Sequence, residues 1–262
     1  MLCLVGIPAL FYACLNTPET QHNGWNPERL MSKTIDSVTF TFPADTYAFQ
    51  HKDVYISQCL EAMEANLDLL EFKNWQQPFN IWFCKDRDEI YRFTGTASGG
   101  SAHPFNRTLY VVANQEEEPP ISHELMHLIP MLEWGYTPPS VLWLNEGLAT
   151  FSENNCHGFT VAQIYRYMLD HDHLIPMESL AENFYAYPEM LAYHQSGYVA
   201  QYLLENFGIK KFEQLWRQGF EAFESIYGSP FSEVESLMNQ SVLLKHPEAP
   251  EIDWERFMKG CS

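Results

Sequence analysis

Apolar and polar positions alternate through residues 37–42, and their Val, Thr and Phe content fits a strand. Residues 54–72 carry apolar positions at helical spacing and predict a long helix. Residues 79–83 read as a second strand, 86–93 as a short helix, Gly99 and Gly100 as a loop, and 108–112 as a third strand. Acidic residues 116–118 and the pair Pro119 and Pro120 then announce a helix starting near Pro120 or Ile121. Its stripe is Ile121, Leu125, Leu128 and Leu132, and Pro130 should end or kink it. Pro138 and Pro139 mark a turn, with Ser140 as the N-cap of a helix over 141–151. Beyond that the pattern is helical. Two pieces fall within 149–167 and a strong helix spans 188–206, ending near Gly208. A further helix covers 211–217, one starts at Ser232 with Glu235 in a capping box, and a short one covers 253–259. Strands in the first half and helices after them give an α+β class, in one domain over residues 34–262.

Composition narrows the partners. The chain has 262 residues, 46% hydrophobic and 15% aromatic, enough for a substantial core. Its net charge is −19, with 34 acidic against 15 basic residues. That excludes nucleic acid as a partner, since phosphates need clustered Lys and Arg, and it excludes simple docking on anionic lipid. The start, residues 1–14, is apolar but too short for a membrane span and lacks a positive leader. It reads as an unusual secretion signal, as a lipoprotein signal with a lipid anchor at Cys14, or as an unstructured end. Residues 15–33 are polar and turn-rich and read as a linker. Cys59, Cys84, Cys156 and Cys261 form two disulfides or remain thiols; the apolar surroundings of Cys59 and Cys84 favour buried thiols there.

The chemistry is concentrated in His123, Glu124 and His127. Two histidines four apart lie on one face of a helix, where both imidazoles can grip one Zn²⁺. Glu124 is placed to take a proton from a zinc-bound water, the arrangement of metal-assisted hydrolysis. Eighteen residues separate His127 from Glu146, a carboxylate on the next helix that would complete a His₂Glu site with zinc as cofactor. Gly147 allows a close helix–helix approach. Asn145 is either a hydrogen-bonding partner in the site or a surface amide. Glu153, on the same helical face as Glu146, either orients a histidine or is solvated.

The full pattern, HExxH and a glutamate eighteen residues on within Trp143-Leu144-Asn145-Glu146-Gly147-Leu148-Ala149, resembles the gluzincin metallopeptidases. It is most similar to the peptidase MA-like domains, relatives of the aminopeptidase N catalytic domain. The resemblance implies a thermolysin-like fold, a small mixed sheet with the HExxH helix followed by a helical C-terminal subdomain. It also implies that the last strand before the site helix, near Tyr110, forms the edge of the cleft. It implies a peptide or protein substrate and an oxyanion donor shortly before a Gly-aromatic segment. Tyr193 matches that position, with His194 a competing donor and plain packing a third reading. The chain lacks the GxMEN signature that binds a free N-terminus, so an endopeptidase is expected. Two alternatives stay open: an inactive binding module of the same fold, and a zinc hydrolase of a non-peptide substrate. Small domains of this family are often exported, which fits a cell-envelope or extracellular location.

Overall fold

The computed structural model describes residues 29–261; the apolar start and Cys14 lie outside the described residues. Strand β1 (Leu30–Ile35) turns at Asp36 and pairs antiparallel with β2 (Val38–Pro43). Asp36 takes a φ of 51°, a left-handed conformation that Asp tolerates in tight turns. β1 begins inside the stretch read as linker, because its half-exposed, polar-rich sequence carries no alternating signature.

The short helix α1 (Tyr47–Gln50) and the long α2 (Lys52–Leu69) lead to β3 (Phe79–Cys84). Then follow α3 (Arg87–Thr94), β4 (Gly100–His103), β5 (Thr108–Val112) and α4 (Ile121–Trp134), which carries the HExxH residues. The five strands run in the order β1-β2-β3-β5-β4. β2, β3 and β5 are mutually parallel, and the two edge strands are antiparallel to them, so the sheet is mixed.

Alternate residues serve two layers, as the strand period requires. Phe40, Phe42, Ile81, Phe83, Leu109 and Val111 enter the main core with α2 and α4. Cys84, Tyr110 and Val112 face the other way and pack with Ile90 of α3.

The edge assignment needs correction. The strand at Tyr110 is interior, paired with β3 on one side and β4 on the other. β4 forms the edge beside the site helix. Its residues, Gly100 to His103, lack alternation, and the glycine pair before Ser101 carries a loop signal that pairing to β5 overrides.

Helix α4 also runs through Pro130 to Trp134 instead of ending there. Its last turn is secured from outside. Trp134 packs edge-on against Phe72 and Trp216. Arg217 donates to the Trp134 and Glu133 carbonyls, and the Trp216 indole donates to the Gly135 carbonyl. These bonds answer carbonyls that a helix end leaves open.

The helical half comprises α5 (Leu142–Glu153), α6 (Val161–Asp170), α7 (Met177–Glu182), α8 (Glu189–Phe207), α9 (Ile209–Gln218), α10 (Phe223–Tyr227), α11 (Phe231–Lys245) and α12 (Trp254–Phe257). Two predicted caps are not used. Ser140 sits in a 3-10 turn ahead of α5, and its hydroxyl bonds to Glu221 and accepts from the Phe220 amide. α11 starts at Phe231 behind Pro230, so Ser232 is already inside the helix and cannot cap it. A capping box does form at the start of α6, between Thr160 and Gln163.

α8 is the spine of this half, packing on α5, α6 and α9. At Gly147 the approach of α5 to α8 is closest. A Cβ there would lie 2.4 Å from the Ser196 carbonyl oxygen, so only glycine lets the two backbones meet. No helix among the described residues is long and apolar enough to cross a membrane.

Candidate metal centre

Helix α4 delivers His123 and His127 to the cleft from one face, one turn apart, their rings edge-to-face with centroids 4.7 Å apart. Helix α5 delivers Glu146. Its Oε2 lies 3.2 Å from Nε2 of His127 and 3.6 Å from Nε2 of His123. One donor atom from each of the three residues falls within 4.8 Å of the others, a set that could hold a metal ion. The donor set, two imidazoles and one carboxylate, is the type that suits catalytic zinc.

Each of these side chains is held from behind. Nδ1 of His127 donates to Oδ1 of Asn145 at 2.5 Å, both residues being buried. Glu153 Oε2 lies 3.5 Å from Nδ1 of His123. With Nδ1 answered in this way, both rings turn Nε2 towards Glu146. The Tyr185 hydroxyl donates to Oε1 of Glu146 at 3.1 Å, which leaves Oε2 for the histidines. Tyr185 stands in a 3-10 turn, Phe184–Ala186, in a stretch without periodicity, and the sequence offered no signal for it.

The charges follow the geometry. Burial lowers the affinity of His123 for a proton, but the Glu146 and Glu153 carboxylates outweigh it and push its pKa up to about 10. Burial likewise opposes charge on His127, yet Glu146 raises it. The same imidazoles hold Glu146 far below the usual carboxylate range, against the effect of its own burial. Three groups are thus tuned to carry complementary charge at one point.

Glu124 differs. Burial raises its pKa, and the two imidazoles only partly offset this. Its carboxyl packs against the backbone of β4. A Cβ at Gly100 would come within 2.5 Å of Glu124 Cγ and 2.7 Å of Oε1, so the edge strand and this acid share a space only glycine leaves open.

Tyr193, on α8, lines the same cleft with its ring stacked on His123 at 6.2 Å between centroids. Burial and then the Glu146 carboxylate raise its phenol far above the ordinary range, so it stays protonated as a donor. Tyr185 is pushed up to about 12 by burial and the same carboxylate. His194 is turned elsewhere. Its Nδ1 donates to the Met190 carbonyl at 2.9 Å, and Nε2 faces Cys261 Sγ at 3.5 Å. Cys156, His194 and Cys261 form a second close cluster of donor atoms, but the two sulfurs are joined to each other as a disulfide. Cys59 and Cys84 are buried free thiols.

The cleft has a volume of about 670 Å³. Its lining includes the ligand set, Glu124, the β4 edge, Tyr185 and Tyr193, with Asn155, Gly260 and Cys261. No curated protein matches the chain. A family model, the peptidase MA superfamily, matches residues 75–242, which takes in β3 to β5, the site helix α4, the Glu146 helix α5 and the Tyr193 helix α8. With its mixed sheet, its HExxH helix and its helical second half in that order, the chain belongs to the peptidase MA superfamily.

Proposed function

We propose that this chain is a zinc-dependent endopeptidase, with His123, His127 and Glu146 as the metal ligands and Glu124 as general base. The observation that carries the reading is the convergence of three donors on one point, each oriented by its own partner: Asn145, Glu153 and Tyr185. A zinc ion held there would supply Lewis-acid charge for a carbonyl and bring the pKa of a water down to about 7.

The residues of the chain do the rest. Glu124 sits beside the ligand set without joining it, and its raised pKa suits a group that must first take a proton and later release one. It removes a proton from the attacking water and delivers it to the amine nitrogen as the peptide bond breaks. Tyr193, held neutral by burial and by Glu146, donates a hydrogen bond to the oxygen on which negative charge develops. Tyr185 keeps Glu146 in place. β4, as the free edge of the sheet beside Glu124, offers backbone groups to an extended peptide.

Metal analysis of the purified chain should find one zinc per molecule, lost on changing His127 to Ala. Glu124→Gln should keep that zinc and lower turnover of a cleavable library peptide by about 10²–10⁴-fold. A chain that takes up no zinc, or a Glu124→Gln variant as fast as the parent, would sink the proposal.

A further inference from the structure

The match to the family stops at residue 242, yet residues 260 and 261 line the cleft beside the ligand set. The segment that brings them there is fastened at three points. Trp254 stacks on His173, with ring centroids 4.5 Å apart, and on Tyr167 at 5.3 Å. Phe257 is almost wholly buried in a small separate core with Ile164, Met168 and Cys156, and meets the His194 ring at 5.0 Å. Cys261 is joined to Cys156 across a sequence separation of 105, and the neighbouring His157 Nε2 donates to the Gly260 carbonyl at 2.7 Å. The segment shares a small core with α6, and the disulfide holds its far end against the cleft.

Cys156 lies three residues beyond Glu153, the carboxylate behind His123. The disulfide therefore ties the segment to the end of the helix that supplies Glu146 and Glu153. We propose that Gly260 and Cys261, held in place by the segment 252–261, form a fixed wall of the substrate cleft, and that this wall limits how far a bound peptide extends beyond the proposed metal centre on the Asn155–His194 side. The inference rests on the metallopeptidase reading above. It makes Cys156 and Cys261 specificity-determining residues that take no part in the chemistry.

Peptide hydroxamates, which bind a protein-held zinc through the hydroxamate group, test it when made in series lengthened residue by residue from either end. Their affinities for the zinc-loaded chain are measured with the disulfide intact, after reduction by a dithiol, and in the double variant Cys156→Ser with Cys261→Ser. In the reduction, two electrons and two protons pass from the dithiol to the cysteine sulfurs, and the reagent becomes a cyclic disulfide. In the intact chain, lengthening from one end should gain nothing past the first residues. After release of the segment's far end, the longer members of that series alone should tighten by about tenfold, equivalent to about 1.4 kcal/mol. The shortest hydroxamates should bind alike in all three states. The same length preference with the segment pinned and released would overturn the wall while leaving the metallopeptidase reading in place. Failure of every hydroxamate to bind in any state would remove the reading and the wall together.

Discussion

His123 and His127 sit four apart on one helix, a spacing that helical geometry converts directly into proximity, and Glu146 comes from the next helix in the sequence, packed against the first. Cys156, His194 and Cys261, of which the last two line the same cleft, come from a loop, the middle of α8 and a segment 105 residues downstream of the first cysteine. The contrast extends to their chemistry. In the first group both imidazoles turn Nε2 towards the Glu146 carboxylate, which favours their charged form, and charge is gathered at one point. In the second the sulfurs are spent on each other, and the histidine is kept neutral, its pKa lowered by burial to about 4. One cluster is built to hold charge and the other to hold chain. Ligand-type residues gathered in one place therefore need not be free to hold a metal; their partners set apart the group that could from the group that could not.

Removing the covalent link should break the comparison most strongly. Changing Cys156 and Cys261 together to Ser opens a loop closed across 105 residues. Loop entropy for that length sets the loss at up to about 4.7 kcal/mol. Urea unfolding should show most of it, while zinc stoichiometry at the His123 centre stays unchanged. A variant of parental stability, or one that loses zinc while still folded, would mean that the two clusters are not separate devices.

Acid should distinguish them next. His194 is buried and hydrogen-bonded through Nδ1, and its pKa falls to about 4 from 6.5. Burial is the main cause; His123 and His157 add to it, while the Met190 carbonyl and Glu153 oppose it. The unfolded chain then binds more protons than the folded one between those two values, so stability rises with pH there. The contribution is fully present above about 6.5 and disappears as pH falls towards about 4. It amounts to on the order of 3 kcal/mol. Unfolding free energies at neutral pH and at a pH of about 4 should differ by nearly that much more in the parent than in His194→Gln. Equal pH slopes in the two proteins would show that His194 is not buried neutral.

The same contrast explains what could be read in advance. Helical spacing is a ruler, so His123 and His127 were identifiable together; the eighteen-residue gap and the ligand types added Glu146, and Gly147 stood out as the point of close approach. Asn145 and Glu153 were visible as residues on the right helix, but only packing decides between an orienting partner and a solvated side chain. The edge strand β4 was hidden, because glycines and polar residues carry no alternation and its pairing comes from β5. The role of Gly100 beside Glu124 depends on two elements whose separation no local pattern encodes. The disulfide was equally hidden, since four cysteines allow several pairings and spacing does not choose among them. Tyr185 lies in a turn between Pro176 and Pro188 with no period to follow.

The smallest expected effect sharpens the comparison within the proposed metal centre itself, between the two partners that orient its histidines. Asn145 is buried and meets the buried His127 at 2.5 Å. The Glu153 side chain is 40% exposed and lies 3.5 Å from His123, so solvent screens the attraction and can replace it. Losing such a partner typically weakens metal binding by about 10–100-fold. Asn145→Ala should fall near the upper end of that range, because the orphaned Nδ1 proton of His127 is left buried. Glu153→Gln keeps a hydrogen-bond acceptor and should stay near or below tenfold, about 1.4 kcal/mol. Salt separates them further. Raising ionic strength should shrink the Glu153 effect, which depends on charge at a half-open surface, and leave the Asn145 effect unchanged. Competition for zinc against a chelator of known affinity, at low and high salt, measures both. A Glu153 effect larger than that of Asn145, or an Asn145 effect that salt removes, would reverse the assignment of which histidine is held by packing and which by charge.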